Sequence, residues 1–443
     1  MRYYIDPFGC VKNQVDAENM MACLEKAGWE TSDSDNADLI IVNSCGFIES
    51  AKKESINAVI GWRKLYPEKK ILLAGCLAQR YAKELPESLT EADGFFGVEN
   101  IADVVQAAEK ACLSAVKNPP YSGNPPQGER PLLSLPGSAY IKISEGCNNR
   151  CSFCAIPLIR GNLASRTIPD ITDECRSLLA RGIKELCIIG QDIGSFGTDT
   201  APGTNANLPQ LLNAVSKIEG RFWVRLLYIH PDHFPVRILD IIEKDTRFLP
   251  YFDIPFQHAS VKILKAMNRR GAPEKYLELI KTIRGRLPNS VIRSTFLLGF
   301  PGETEEDFEA LLDFQKEAEL DWLGCFTYSR EEGTPSFAMK GQVPKKTAAI
   351  RRQAVEERQI PITEKNMERF TGRTLEVLIE EHIDSESAEE NFWLGRLYCQ
   401  APDIDGAAVI TGAAEMNPQL GDIIPCKVIA RRGFDLEARL LRE

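Results

Sequence analysis

Six short runs rich in β-branched and aromatic residues recur through the middle of the chain: AYIKIS, ELCIIG, FWVRLLYI, YFDIPF, VIRSTFLLG and WLGCFTY. Each gives way to a helical stretch or loop at roughly forty-residue intervals, a common length for a repeating strand-helix unit. Six such units predict an open partial barrel rather than the closed eight-fold one. Before them, YYIDPF, DLIIVN and KILLAG alternate with helical patterns over 16–27 and 50–65, which predicts a doubly wound, mainly parallel α/β domain. From about Gly372 the text changes to TLEVLIEE, FWLGRLYC, AAVITG, DIIPCKVIAR and LEARLL, short β-rich runs that fit a small antiparallel β-barrel. Residues 118–137 read NPPYSGNPPQGERPLLSLPG, and their six prolines make a stiff, open connector. The expected layout is a multidomain α/β chain: a first domain over 1–118, a linker over 119–137, a partial barrel over 138–371 and a small barrel over 372–443.

At 443 residues, with 44% hydrophobic and 26% charged side chains, the chain is too long for one ordinary domain. No apolar run is long enough to cross a bilayer, and the start MRYYIDPFGC has no basic segment followed by an apolar one, so a cytoplasmic location is expected. Net charge is −10 and unevenly shared: residues 1–118 carry 18 acids and 13 bases (−5), 119–367 carry 30 and 32 (+2), and 368–443 carry 15 and 8 (−7). Neither flanking segment offers the surplus of cations that a phosphate backbone requires, so direct nucleic-acid binding is not required and a basic partner is expected. Glu380, Glu381, Glu389 and Glu390 are candidate docking acids; a merely solvated acidic face is the alternative.

Thirteen cysteines in a reducing compartment argue for metal or catalysis rather than disulfides. The histidines His230, His233, His258 and His382 are too scattered for a mixed zinc site. GCNNRCSFC places Cys147, Cys151 and Cys154 directly after the first strand of the middle domain. Three thiolates this close can ligate three irons of a cubane and leave the fourth open. A zinc ribbon would need a second Cys-x-x-Cys pair, and the sequence has none. The spacing, with Phe153 before the last cysteine, resembles the signature of the radical S-adenosylmethionine superfamily. That resemblance implies a 4Fe-4S cluster whose open iron binds S-adenosylmethionine, and whose electron cleaves the sulfonium to a deoxyadenosyl radical. Residues at the C-terminal ends of the other strands should line the chamber: Gly190, Gln191, Asp192, His230, Gln257, His258 and the run Gly299, Phe300, Pro301, Gly302, Glu303. Of these Gly190, Gln191, Gln257, His258, Gly299, Gly302 and Glu303, with Phe153, are the candidate cofactor-binding set. His230 and His258 can equally be hydrogen-bonded structural histidines.

Cys10, Cys45 and Cys76 are far apart in sequence, yet each follows an apolar strand and precedes a helix: IDPFGC, LIIVNSC and LLAGC. In a doubly wound sheet the C-terminal strand ends open onto one crevice, so three distant cysteines converge there. Gly9, Gly46 and Gly75 beside them allow close backbone approach. Taken one at a time, a free cysteine is more often a small buried hydrophobe. Cys23, Cys112 and Cys175 in helical patterns, and Cys187, Cys325, Cys399 and Cys426 in strand-like runs, are read that way.

Two cysteine trios on an α/β domain and a partial barrel, followed by a small barrel, resemble the methylthiotransferase family over essentially the whole chain. The resemblance rests on GCVKNQVDAE, NSCGFIESAKKESI, EGCNNRCSFCAIPLIRG, DIPFQHAS and FLLGFPGETEEDF. It implies an auxiliary 4Fe-4S cluster on Cys10, Cys45 and Cys76, a radical-generating 4Fe-4S cluster on Cys147, Cys151 and Cys154, a radical-SAM partial (β/α)6 barrel and a TRAM-like terminal barrel that binds substrate. The text is most similar to the branch that methylthiolates the β-carbon of an aspartate in small-subunit ribosomal protein number twelve, a basic partner, with an electron donor as second partner. The transfer-RNA branch typically has Met-Asn after its first cysteine and Ser-Val after its second; here Lys12-Asn13 and Gly46-Phe47 stand there. Val11, Ala17 and Arg330 depart from the ribosomal-protein pattern without removing a cysteine. Methylthiolation of transfer RNA, and a non-catalytic iron-sulfur sensor or scaffold, are the alternatives.

Overall fold

The computed structural model describes residues 1–112, 128–201, 204, 206–383, 390–413 and 415–441, without the side chain of Glu390. The connector expected at 119–137 is described only from residue 128, and Glu389 lies outside the described residues. The chain divides into two compact units: 1–133 with 144–164 and 329–337, and 134–143 with 165–328 and 338–443.

The first unit is built on a five-stranded parallel sheet. Its strands are β1 (Arg2–Pro7), β2 (Glu30–Thr31), β3 (Leu39–Ser44), β4 (Lys70–Gly75) and β5 (Gly94–Phe96), in the order β2-β1-β3-β4-β5. The strands alternate faces, so consecutive residues feed two cores. Ile41, Leu72 and Ala74 join Met20 and Leu24 of α1 (Val11–Lys26) and Val105 and Ala108 of α4 (Val104–Ala111). Ile40, Val42, Ile71 and Leu73 join Val59 of α2 (Glu49–Leu65) and Leu77 of α3 (Cys76–Arg80) on the other face. Every residue of β3 is buried, as a central strand covered on both faces must be. The strand order reverses between β1 and β3, which opens a crevice at their C-terminal ends.

The second unit contains a six-stranded all-parallel sheet: β6 (Ser138–Lys142), β7 (Glu185–Ile189), β8 (Trp223–Leu226), β9 (Phe248–Asp253), β10 (Val291–Leu298) and β11 (Trp322–Thr327), neighbours in chain order. This is the partial barrel expected from the six runs. FWVRLLYI gives a shorter strand than its composition suggests, because Tyr228 turns the chain at φ 67°.

The same unit ends in a closed five-stranded barrel of β12 (Thr374–Ile383), β13 (Glu390–Leu397), β14 (Ala408–Ala413), β15 (Ile423–Arg432) and β16 (Asp435–Leu440). Four of its pairings are antiparallel; the fifth, between β14 and β16, is parallel and closes the ring. One expected docking acid is corrected here. The register of β12 against β13 shifts between Ile379 and Glu381, so the intervening Glu380 turns inward, is only 9% exposed and pairs with Arg396 at 2.7 Å. Cys399 is not in a strand either: it lies in the buried turn after β13, where its carbonyl accepts from Trp322 Nε1 at 2.8 Å.

All six strands of the partial barrel reach the segment running from Arg396 to Asp405. Glu185 of β7 meets Arg396 at 2.5 Å, Arg225 of β8 donates to the Tyr398 carbonyl at 2.9 Å, and Tyr140 of β6 to Asp403 at 3.3 Å. Tyr251 of β9 donates to Asp405 at 2.6 Å, and Arg293 of β10 stands 3.6 Å from that carboxylate. Trp322 of β11 completes the set. Among the described residues no helix is long and apolar enough to cross a membrane.

Candidate functional site

In the first unit, register places the three strand ends at one level: Pro7 opposes Asn43, and Ser44 opposes Gly75. Cys45 and Cys76 therefore leave their strands side by side, and Cys10 leaves as the residue capping α1. Gly75 stands at φ 93°, and a Cβ there would fall 2.6 Å from Asn43 Oδ1; a Cβ on Gly46 would fall 2.6 Å from the Cys76 carbonyl oxygen. These glycines let the cysteine loops approach one another. Cys10 is exposed, Cys45 half-buried and Cys76 buried. Burial pushes the Cys76 thiol up to about 12 despite the nearby Arg160, and raises the Cys45 thiol as well. Both feel the charge of Cys10. As bare thiols they are poor nucleophiles; as a soft sulfur set facing one crevice they suit iron, whose charge offsets the cost of burying thiolates. The trio therefore fits a group that takes three thiolates. Among the described residues no group of three or more His, Cys, Asp or Glu is gathered tightly enough to hold a metal ion; the thiolates of a cubane bind three different irons and need not meet at one point.

Sequence reasoning missed what surrounds this trio. Asn13 Nδ2 donates to the Phe8 and Ser44 carbonyls at 3.1 and 2.8 Å, which turns Oδ1 toward the Cys76 sulfur, 3.0 Å away. Arg160 Nη2 lies 2.7 Å from Asn13 Oδ1, 2.7 Å from Asp16 Oδ2 and 3.1 Å from the Cys76 sulfur. The sequence signal was a cation six residues beyond Cys154 and a polar pair just after Cys10, but nothing in the text says that they meet.

Cys147, Cys151 and Cys154 belong to the same unit, on a loop entered from β6 and closed by its own return segment. The Cys147 amide donates to the Gly161 carbonyl at 3.3 Å, the Leu163 amide to Asn148 Oδ1 at 3.1 Å, and the Cys154 amide to the Cys151 carbonyl at 3.0 Å. Arg150, between the first two cysteines, holds φ 50°, a strained value that the loop enforces. Ser336 donates its amide to the Ser152 carbonyl at 2.9 Å, so residues 329–337 brace the loop. All three cysteines are half-buried, as is Phe153, and none of the chain's thirteen cysteines is in a disulfide. Three neighbouring sulfurs on one braced loop fit a cubane with one iron left for another ligand.

The remaining candidates lie in the second unit at the C-terminal ends of β7, β9 and β10. Gly190 is buried and Gln191 half-buried after β7. Gln257 holds φ 70° and is stitched to β10 by its amide to Thr295 (2.7 Å) and its carbonyl from Leu297 (2.8 Å). Gly299 and Gly302 have φ of 76° and 84°, so the Gly299–Glu303 run is a tight turn. Glu303 folds back on that turn: its carboxylate accepts from the Gly299 amide at 2.8 Å and from Arg351 at 2.7 Å, and lies 3.5 Å from His258 Nε2. Burial alone would raise this carboxyl, but His258 and Arg351 outweigh it and hold it below the usual range. His258 is fully buried, with Nδ1 accepting from the Ser260 amide at 3.0 Å. His230 takes the Asp232 amide at 3.2 Å, and burial, reinforced by Arg269, pushes it down to about 3. Both rings serve as local caps. Asp192, buried, is the hub: it accepts from the Gly194 and His230 amides, from Ser195 and from His233, whose protonated form it favours.

Known proteins carry the same three parts. Residues 2–97 match the family described as Uncharacterized protein family UPF0004, residues 141–314 the Radical SAM superfamily, and residues 371–441 the TRAM domain. A protein of Treponema denticola named Ribosomal protein uS12 methylthiotransferase RimO is 49% identical over 98% of this chain and 99% of its own length. The chain belongs to the RimO methylthiotransferase family. Proteins of the same name from Syntrophomonas wolfei and Aquifex aeolicus are each 39% identical over 97% and 99% of this chain, and 97% of their own lengths. Among solved structures, the radical S-adenosylmethionine methyltransferase TsrM of Kitasatospora setae aligns with TM-score 0.56 over 76% of each chain at 15% identity, a likeness of fold. The three-domain architecture of the family, with a radical SAM core between the N-terminal and TRAM domains, is thus the architecture of this chain.

Proposed function

We propose that this protein methylthiolates the β-carbon of an aspartate in ribosomal protein uS12, using two 4Fe-4S clusters and S-adenosylmethionine. The observation that carries the reading is full-length likeness to proteins named for that activity, at up to 49% identity. Convergence of Cys10, Cys45 and Cys76 supports an auxiliary cluster there, and the loop of Cys147, Cys151 and Cys154 supports the radical-generating one.

A carbon-hydrogen bond with no acidity gives acid-base side chains nothing to act on. Bound at these trios, the clusters would supply the electron that cleaves S-adenosylmethionine and would supply or carry the sulfur that is transferred. The chain's own residues position and enclose. Cys147, Cys151 and Cys154 would leave one iron open, Phe153 would flank it, and the turns at Gly190–Gln191, Gln257 and Gly299–Gly302 would present backbone to S-adenosylmethionine. Glu303 and His258 would hold those turns in place. The acidic balance of residues 368–443 suits a basic ribosomal protein met in the cytoplasm, and an electron donor must dock as a second partner.

The test is anaerobic reconstitution, then incubation with S-adenosylmethionine, a reductant and either uS12 or transfer RNA. The expected result is the mass of one methylthio group, less a hydrogen, on uS12. The same gain on transfer RNA alone would sink the substrate reading, and failure to cleave S-adenosylmethionine would sink the chemistry.

A further inference from the structure

Arg160 starts on the second cysteine loop and ends at the first cysteine trio. It is 8% exposed, and its Nη1 donates to Glu145 at 2.9 Å. Its Nη2 carries two hydrogens yet faces three acceptors, Asn13 Oδ1 and Asp16 Oδ2 at 2.7 Å and the Cys76 sulfur at 3.1 Å. Nη2 can serve only two of the three at a time. While Cys76 keeps its proton the sulfur donates to Asn13 Oδ1, 3.0 Å away. A sulfur that ligates iron has no proton to donate and becomes an acceptor. The Asn13 amide cannot rotate to compensate, because both Nδ2 hydrogens are held by the Phe8 and Ser44 carbonyls. The hydrogen bond open to the ligating sulfur is then the one from Arg160.

We propose that Arg160 is a positioning residue of the auxiliary cluster: its guanidinium donates to the Cys76 sulfur and raises that cluster's reduction potential, without acting on the radical-generating cluster. The inference rests on the reading that Cys10, Cys45 and Cys76 hold a cluster. A charge-assisted hydrogen bond in a water-poor site stabilises the more negative, reduced state.

The experiment uses the full chain with Cys147, Cys151 and Cys154 replaced by Ala, so that only the first trio can hold iron. Reconstitution should give about four irons; none would overturn the two-cluster reading and this proposal with it. With iron in place, redox titration followed by electron paramagnetic resonance should find a more negative midpoint in Arg160→Gln, and one in between in Arg160→Lys, which keeps the charge but not the fork. In the reciprocal chain lacking the first trio, Arg160→Gln should leave the remaining cluster's midpoint unmoved. Equal midpoints in all three forms would overturn the proposal, as would equal shifts of both clusters, or loss of iron in Lys and Gln variants alike, which would make Arg160 a packing residue.

Discussion

In the second unit Arg225 and Arg396 share the Glu185 carboxylate at 2.8 and 2.5 Å, and Glu380 takes a further hydrogen bond from Arg396. In the first unit Arg160 is buried just as deeply, yet its cation stands among two carboxylates, an amide and a cysteine sulfur. The first arrangement balances two cations with two anions and is closed but for Arg225 Nη2, a buried donor left over with no hydrogen-bond partner. The second has more acceptors than hydrogens at Nη2 and stays open to a change at the sulfur. Buried charge by itself therefore says little; whether its partners are exhausted separates a fastening from a responsive site.

Removing the proposed metal ligands tests the open side hardest. Replacing either trio by Ala should remove about four irons and abolish the methylthio product, as three thiolates per cubane require. Loss of the first trio should still permit S-adenosylmethionine cleavage, read as deoxyadenosine released; if cleavage stops too, the division of labour between the trios is wrong.

On the closed side, Arg396→Met should cost about 3–5 kcal/mol, because Glu185 would keep a buried charge with one partner gone. Urea unfolding checks this, and a loss under about 1 kcal/mol would mean that the cluster is not a fastening. Its carboxylates also respond oppositely to pH. Arg396 and Arg225 hold Glu185 at about 2 against the effect of burial, so its contribution is present above about pH 4 and fails only in strong acid. Burial raises Asp405 to about 6, partly countered by Arg293 and Tyr251. Its folded form takes up a proton before the unfolded chain does, so stability should rise by up to about 3 kcal/mol as pH falls through 6 toward 4. Asp405→Asn should remove that gain, seen as the difference in urea midpoint between pH 7 and pH 5. The smallest effect should come from Trp322→Phe, about 2 kcal/mol, since it strands the Cys399 carbonyl and leaves a small gap at a buried site.

Elements written in apolar runs were legible: β3, β4 and all six barrel strands overlap DLIIVN, KILLAG and the six runs of the middle segment. The helix Lys345–Glu368 was not, because its buried face mixes Ala348, Val355 and Met367 with the polar Arg351, Gln359 and Thr363, it contains Pro361, and it is held by side-chain hydrogen bonds such as Gln359 to the Leu320 carbonyl and Thr363 to the Asp321 carbonyl. Binary pattern reads such a face as solvent. Glu380 was misplaced for a related reason: a bulge shifts the two-residue period by one, and no residue of β12 announces it. At the candidate site, strand-end context was enough to place Cys45 and Cys76 at neighbouring strand ends, since topology brings strand ends together whatever their separation in sequence. Arg160 depends on which loop folds onto which strand end, and periodicity carries no such information.

The six strands that grip residues 396–405 have one more implication. An arm on a tether samples many distances and needs only to catch its target, whereas a barrel bolted to its neighbour through Arg225, Tyr251 and Trp322 holds its outer surface at a set reach from the strands that grip it. A partner seated on that surface would be gauged as well as captured, as a workpiece is by a jig, and a target side chain a few residues nearer or farther along the partner would miss.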